Sequence, residues 1–392
     1  MTPSIDLFIF SDALGWELAR ERNVLTDLLP HRASCETIFG YSSSCDPSIL
    51  TGKVPSEHGH FSFFVYDPKN SPFRSARWFS WAPPLLFDHH RVRNQISKYW
   101  GRRLGFTGYF QLYSAPFSKL PLLDYTERRD IYLPGGITGG QEVIFSRWEK
   151  LGIPWYRSDW RAGDAANIAS MKEKLREGKI RCAYLFTGAL DAVMHANGTL
   201  GSKVDQAFAQ FETWIRELHS IAIEKYQEVR LHLFSDHGMT DTTATSDMMR
   251  RFETLGLQYA RDYAAVWDST MARFWFLKPG VRDKVETWLR QQPEGRVLQD
   301  EELRKWGCLF ADRRYGEIFY LLNPGTIFVP CFMSAKRVTA MHGFSPDEPT
   351  SKACWLTSHP TETPRRIEEI FDVMLSAAKR LLDCRMSRTG GL

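Results

Sequence analysis

Val229-Arg230-Leu231-His232-Leu233 runs into Phe234-Ser235-Asp236-His237-Gly238. The apolar run reads as a buried strand. Adjacent Asp and His at its end bring a hard oxygen donor and an imidazole to one point, as divalent metal sites do. Open α/β sheets collect ligands at the carboxyl ends of their strands. A lone Asp-His pair suits a surface turn equally well, but three further stretches end in the same way.

The first is Ile5–Phe10, a strand closing in Ser11-Asp12-Ala13-Leu14-Gly15. Asp12 also suits the N-cap of a helix expected over Trp16–Arg22. The second is the strand Arg181–Thr187, after a charged helical stretch Asp164–Lys179, leading to Asp191 and His195. If that turn is helical, the two residues share a face, as residues four apart do. The third is Met341-His342-Gly343-Phe344, a turn carrying another imidazole. Between the first two lies Phe39–Gly52, where the hydroxyl residues Ser42, Ser43 and Ser44 precede a short helical pattern that stops at Thr51-Gly52. A hydroxyl at a helix N-terminus gains from the helix dipole, and the free N–H groups there can hold a phosphate. A capping motif or a plain Ser-rich loop would read the same way. Pro55–His60 follows as a polar turn.

Taken in order, these pieces resemble the alkaline phosphatase superfamily, on its nucleotide pyrophosphatase/phosphodiesterase (type I phosphodiesterase) side. The resemblance rests on the strand ending in Asp12, the helix closing in Leu50-Thr51-Gly52, Pro55-Ser56-Glu57-His58-Gly59, Leu190–His195, Ser235–Met239 and Met341–Phe344. It implies an α/β fold with an alkaline-phosphatase-like central, mostly parallel sheet flanked by helices. The family nucleophile stands nine residues before the Thr of the Thr-Gly pair, which implies Ser42, or Ser43 if the register slips by one. The sulfatase branch would need its reactive Cys at position 42 and Arg at 46, where Ser42 and Asp46 stand. The resemblance further implies one divalent ion held by Asp191, His195 and His342, and another by Asp12, Asp236, His237 and the Ser42 oxygen. Mixed carboxylate and imidazole ligands suit Zn²⁺, with Mn²⁺ as the alternative. One departure stands out: the nucleotide branch carries Asn three residues after the nucleophile, and here that place is Cys45, read as a packing residue. His58 is expected to hold its turn.

The implied activity is metal-dependent hydrolysis of phosphate esters, of phosphodiesterase or nucleotide pyrophosphatase type, through a phosphoseryl intermediate. The lost Asn keeps a phosphomonoesterase or phosphonate hydrolase open, and a phosphoryl transferase shares the first half-reaction. A non-enzymatic binding module would lack at least one of the six ligands, and none is missing.

At 392 residues and 43% hydrophobic content the chain can bury a large core. Its 50 basic and 46 acidic residues, net +4, are too balanced to argue for a nucleic-acid polymer. The substrate is therefore expected to be a small phosphate ester. The seven Cys are scattered without CxxC spacing, which favours a reducing compartment. No signal peptide or membrane span is read, so the expected location is cytoplasmic. Residues 1–60, 161–260 and 331–385 are assigned to the core, 261–330 to a small α+β subdomain and 386–392 to a frayed tail. Residues 61–160 read as an insertion over the active-site face, with Phe61, Phe63, Phe64, Trp78, Trp100 and Tyr109 interleaved with Arg. Such a mixture suits an aromatic or apolar leaving group, or simply the insertion's own core. Asp88-His89-His90 resembles a metal motif but follows no strand end.

Overall fold

Along the strand Thr2–Ser11 successive side chains go to opposite faces, as the β pleat requires. Phe8 and Phe10 join one buried apolar cluster, and Ile5, Leu7 and Ile9 join another. Covered on both sides, the strand is apolar on both faces from Leu7 to Phe10, the mark of a doubly flanked parallel sheet. The structure, a computed structural model, describes residues 2–79 and 90–389. Asp88 and His89 lie outside the described residues.

The central sheet has six strands, in the order His31–Cys35, Ala353–Thr357, Tyr226–Phe234, Thr2–Ser11, Cys182–Thr187, Trp155–Arg157. Thr2–Ser11 pairs in parallel with Tyr226–Phe234 and with Cys182–Thr187, which pairs in parallel with Trp155–Arg157. Only Ala353–Thr357 runs against its neighbours. The fold is α/β, with a mostly parallel sheet flanked by helices. Asp164–Glu177 and Ser202–Lys225 cover one face, while Ser42–Thr51, Ile144–Lys150 and Ile370–Thr389 cover the other. The stripe Phe208, Phe211, Ile215 and Leu218 faces the core, as its helical spacing predicts.

A second, antiparallel sheet runs Tyr263–Trp267, Met271–Phe276, Ile318–Leu322, Gly295–Val297, with the helix Val281–Arg290 in its connection. Its apolar face shares one buried cluster with Phe64, Phe73, Leu112 and Tyr125. Among the described residues, Phe63, Tyr66, Trp100, Phe106 and Phe110 also pack against this cluster, while Trp78 and Tyr99 are exposed.

Several expectations need correction. Helix Ile144–Lys150 and strand Trp155–Arg157, placed in the insertion, instead build the central sheet and its cover, because Val143, Ile144, Phe145 and Trp148 are buried against it. The final helix is assigned over Ile370–Thr389. Within the polar turn read over Pro55–His60, Pro55–His58 forms a single helical turn. Asp12 does not cap the next helix; Gly15 occupies that position without a side-chain cap. Among the described residues no helix is long and apolar enough to cross a membrane. The six described cysteines are free and buried.

Candidate metal centre and active site

The sheet brings two of the sequence signals together directly. Phe10 and Phe234 are register partners on adjacent parallel strands, so Asp12 and Asp236 leave the same edge side by side. Asp236 is fully buried, and its Oδ1 accepts the backbone N–H groups of His237 (2.9 Å) and Ala13 (3.2 Å). That fixes Oδ2 towards the cleft, 2.9 Å from His237 Nε2. Ala13, between these contacts, is held at φ +60, a strained value for a residue with a Cβ. Such strain persists where surrounding contacts over-determine the backbone, and it collects at functional sites. Gly238 is required here: a Cβ would stand 2.1 Å from the Thr350 carbonyl oxygen.

The other signals arrive from farther away. Strand Cys182–Thr187 leads into helix Ala189–Asn197, which presents Asp191 and His195 one turn apart, with His195 Nε2 3.1 Å from Asp191 Oδ1. His342 follows the short strand Ala340–Met341, which pairs with Thr240–Asp241. Its Nε2 lies 3.7 Å from Asp191 Oδ1. Two groups result: Asp12, Asp236 and His237, and Asp191, His195 and His342, each with ligand atoms within 4.8 Å of one another. The His237 and His342 rings stack at 3.8 Å and join the two groups into one site. Ser42 starts the helix Ser42–Thr51, its Oγ 3.1 Å from His237 Nε2. Ser43 Oγ instead donates to the Phe61 carbonyl. The Cys45 thiol is fully buried against Ile38 and Thr37, as a packing residue would be. His58 holds Ser48 Oγ at 2.9 Å beneath the helix.

Do these residues fit divalent cations? His195 Nδ1 donates to the Ala340 carbonyl (2.8 Å) and His237 Nδ1 to the Gly238 carbonyl (3.0 Å). A carbonyl has no hydrogen, so both protons sit on Nδ1 and both Nε2 lone pairs face the cleft, the arrangement of metal-ligating histidines. The facing oxygens, Asp12 Oδ1, Asp191 Oδ1 and Asp236 Oδ2, are buried and have no hydrogen-bond partner. Imidazole nitrogens and carboxylate oxygens thus converge on one cleft, which a cation would reconcile. The electrostatics agree. Burial and the charges of Asp236 and Asp191 push the Asp12 carboxyl well above its usual range. Burial, then His237 and His195, push His342 well below the usual imidazole value. The donor set is of the kind that holds zinc or manganese.

A family model described as type I phosphodiesterase / nucleotide pyrophosphatase matches residues 39–345. The chain belongs to that family. The match spans every site residue above except Asp12. Among solved structures, murine ectonucleotide pyrophosphatase/phosphodiesterase 5 superposes with a TM-score of 0.66 at 14% identity, over 96% of this chain and 95% of that one. An inactive variant of the murine protein in complex with AMP gives the same figures. The human counterpart gives a TM-score of 0.65 at 13% identity, over 96% and 95%. At such identity the likeness speaks for the alkaline-phosphatase-like fold. No curated protein sequence matches the chain. Family and fold together support hydrolysis of small-molecule phosphate esters with divalent metal.

In this phosphodiesterase-family chain the site opens into a cavity of about 840 Å³ that contains Ser42, Asp12, Asp191, His195 and His342 in its wall. Sequence reasoning missed the rest of that wall. Asp46, one turn after Ser42, lines the cavity, as do Glu127, Asp130, Tyr113, Tyr132 and Trp160. Asp46 carried a signal, since four residues after Ser42 it shares that residue's face of the helix. Glu127 carried none: it lies in a loop with no periodicity.

Proposed function

We propose that this chain is a divalent-metal-dependent hydrolase of small phosphodiesters that uses Ser42 as its nucleophile. Asp191, His195 and His342 would hold one ion, and Asp12, Asp236 and His237, with Ser42 Oγ, the other. Zinc suits this mixed donor set best. Bound there, the ions supply Lewis-acid charge beside the attacking and departing oxygens. The single observation that carries the reading is the convergence of unpartnered carboxylate oxygens and imidazole lone pairs around the Ser42 hydroxyl.

The chain's own residues then have defined tasks. Ser42 Oγ, at the first position of a ten-residue helix, stands among backbone N–H groups with no partner within the helix, which suits phosphoryl oxygens. Its oxygen forms a bond to phosphorus as the bond from phosphorus to the leaving alcohol breaks. Water then attacks phosphorus in the phosphoseryl ester, releasing the phosphate monoester and restoring Ser42. Ser43, engaged with the Phe61 carbonyl, is not placed for this role. The buried free cysteines suit a cytoplasmic protein.

Two measurements test the reading. Bis-p-nitrophenyl phosphate should be cleaved faster than p-nitrophenyl phosphate; the reverse order would assign a monoesterase. Ser42→Ala should lower turnover by about 10⁴-fold or more, as loss of a covalent nucleophile does, with metal content largely kept. Near-normal turnover in that variant would refute the nucleophile.

A further inference from the structure

The near balance of charge over the whole chain hides a segregation. Residues 68–123 hold nine Lys or Arg and one acidic residue, a net charge of +8 in a chain whose total is +4, so the rest of the chain carries −4. At the centre of this stretch is the fifteen-residue helix His90–Leu104, which contains Arg91, Arg93, Lys98, Arg102 and Arg103 and no acidic residue.

One side of the helix is fastened to the protein. Arg93, Ser97 and Gly101, spaced four apart on one face, are buried. The Arg93 guanidinium donates to the Ala115 carbonyl at 2.8 Å and lies over the Phe117 ring at 4.1 Å. Ser97 Oγ accepts the Leu112 N–H at 3.0 Å, and Ile96, Trp100 and Leu104 pack on the apolar cluster of the antiparallel sheet.

The opposite side is open. Lys98, Arg102 and Arg103 are exposed and pair with no carboxylate among the described residues. Val92 and Tyr99 share their side of the helix with Arg103, spaced seven and four residues apart, and are 37% and 62% exposed. Trp78, 65% exposed, belongs to the turn Arg74–Phe79, which Phe73 ties to the helix by stacking on Trp100 at 5.9 Å. Neither the catalytic cavity nor the cleft of about 930 Å³ beside Tyr66 and Trp275 includes a residue of this helix. Its outer side is a surface, not a groove.

We propose that the outer face of His90–Leu104 docks this protein on an anionic lipid bilayer. A helix of this length covers about 22 Å and lies in the headgroup plane. Lys98, Arg102 and Arg103 meet lipid phosphates, while Tyr99 and Val92 enter the boundary between headgroups and acyl chains. An acidic polymer would answer the cations equally, but it offers Val92 nothing apolar. Each basic side chain at such a surface strengthens partitioning by about fivefold.

The test is co-sedimentation of the full chain with vesicles of phosphatidylcholine, pure or with about one third phosphatidylglycerol. Partitioning should be about 100-fold stronger on the anionic vesicles and should be lost in about 0.5 M NaCl, where the Debye length falls to a few ångströms. The triple variant Lys98→Gln, Arg102→Gln, Arg103→Gln should weaken it about 100-fold with thermal unfolding unchanged, since all three side chains are exposed. Equal partitioning on the two vesicle types, or a triple variant that partitions like the unaltered chain, would overturn the proposal. Retention on heparin or duplex DNA without binding to the anionic vesicles would assign the face to an acidic polymer instead. The lipid and salt comparisons use the unaltered chain, so they decide the matter even where the variant fails to fold.

Discussion

The two metal-ligand groups are built by different means. Asp12 and Asp236 sit at the ends of adjacent parallel strands, and their spacing is set by the ladder that pairs Phe10 with Phe234. Asp191, His195 and His342 come from a nine-residue helix and a return loop. That second group is laced together by side contacts. Thr339 N–H donates to the His195 carbonyl at 2.9 Å, and Thr270 Oγ1 donates to the Gly343 carbonyl at 2.7 Å. Thr270 in turn donates its N–H to the Tyr41 hydroxyl at 3.0 Å, and its Oγ1 accepts from that hydroxyl at 2.9 Å. Gly343 has φ +87, and a Cβ there would stand 2.5 Å from the Tyr41 ring. One group is thus borne by the core sheet, while the other depends on contacts between separate elements. Local stability follows packing, so the second group should loosen first.

The sharpest way to break this contrast is to compare Asp236→Ala with Asp191→Ala. Each should weaken its own ion by more than about 100-fold, beyond what loss of an outer-shell partner costs. Only Asp236→Ala should also destabilise the fold by about 1–3 kcal/mol, because it strands the N–H groups of Ala13 and His237. Metal analysis with thermal unfolding checks both, and equal unfolding losses would dissolve the distinction.

Thr270→Val sharpens it further. It touches no ligand, yet it releases the Gly343 carbonyl, and it should weaken one ion about tenfold, the lower end for outer partners. The ion near Asp236 should stay. Full retention of both ions would show that the loop is held by other means.

The mildest effect concerns the sheet alone. Asp6 lies buried on the strand that ends in Asp12, bonded to His232 at 2.9 Å and to Arg380 at 2.7 Å. Burial alone would raise its carboxyl, but His232 and Arg380 hold it below the usual value. Its stabilising contribution is therefore present above pH about 4 and is lost as pH falls through the lower folded value. Asp6→Asn should cost about 1–3 kcal/mol of stability and abolish that acid-side slope, with metal content unchanged. Urea titrations at pH 3–7 read both; an unchanged slope would exclude Asp6 as its source.

Much of the site was legible because its residues sit where local pattern and chemistry coincide. Asp12, Asp236 and His237 follow apolar runs, Asp191 and His195 are spaced for one helix face, and Ser42 starts a helix capped by Gly52 at φ +67. Insertion boundaries were less legible. An apolar, aromatic segment such as Ile144–Arg157 has the same composition whether it packs on itself or on a sheet reached from elsewhere in the chain.

By itself the sequence determined the sheet's buried strands and the donor residues at their ends, since period and residue type are local properties. Only the tertiary structure decided that Glu127 and Asp46 line the cavity beside the metal centre, and that Thr270 holds the turn after His342. Burial and partnership are relations between distant segments, and no stretch of sequence contains both members.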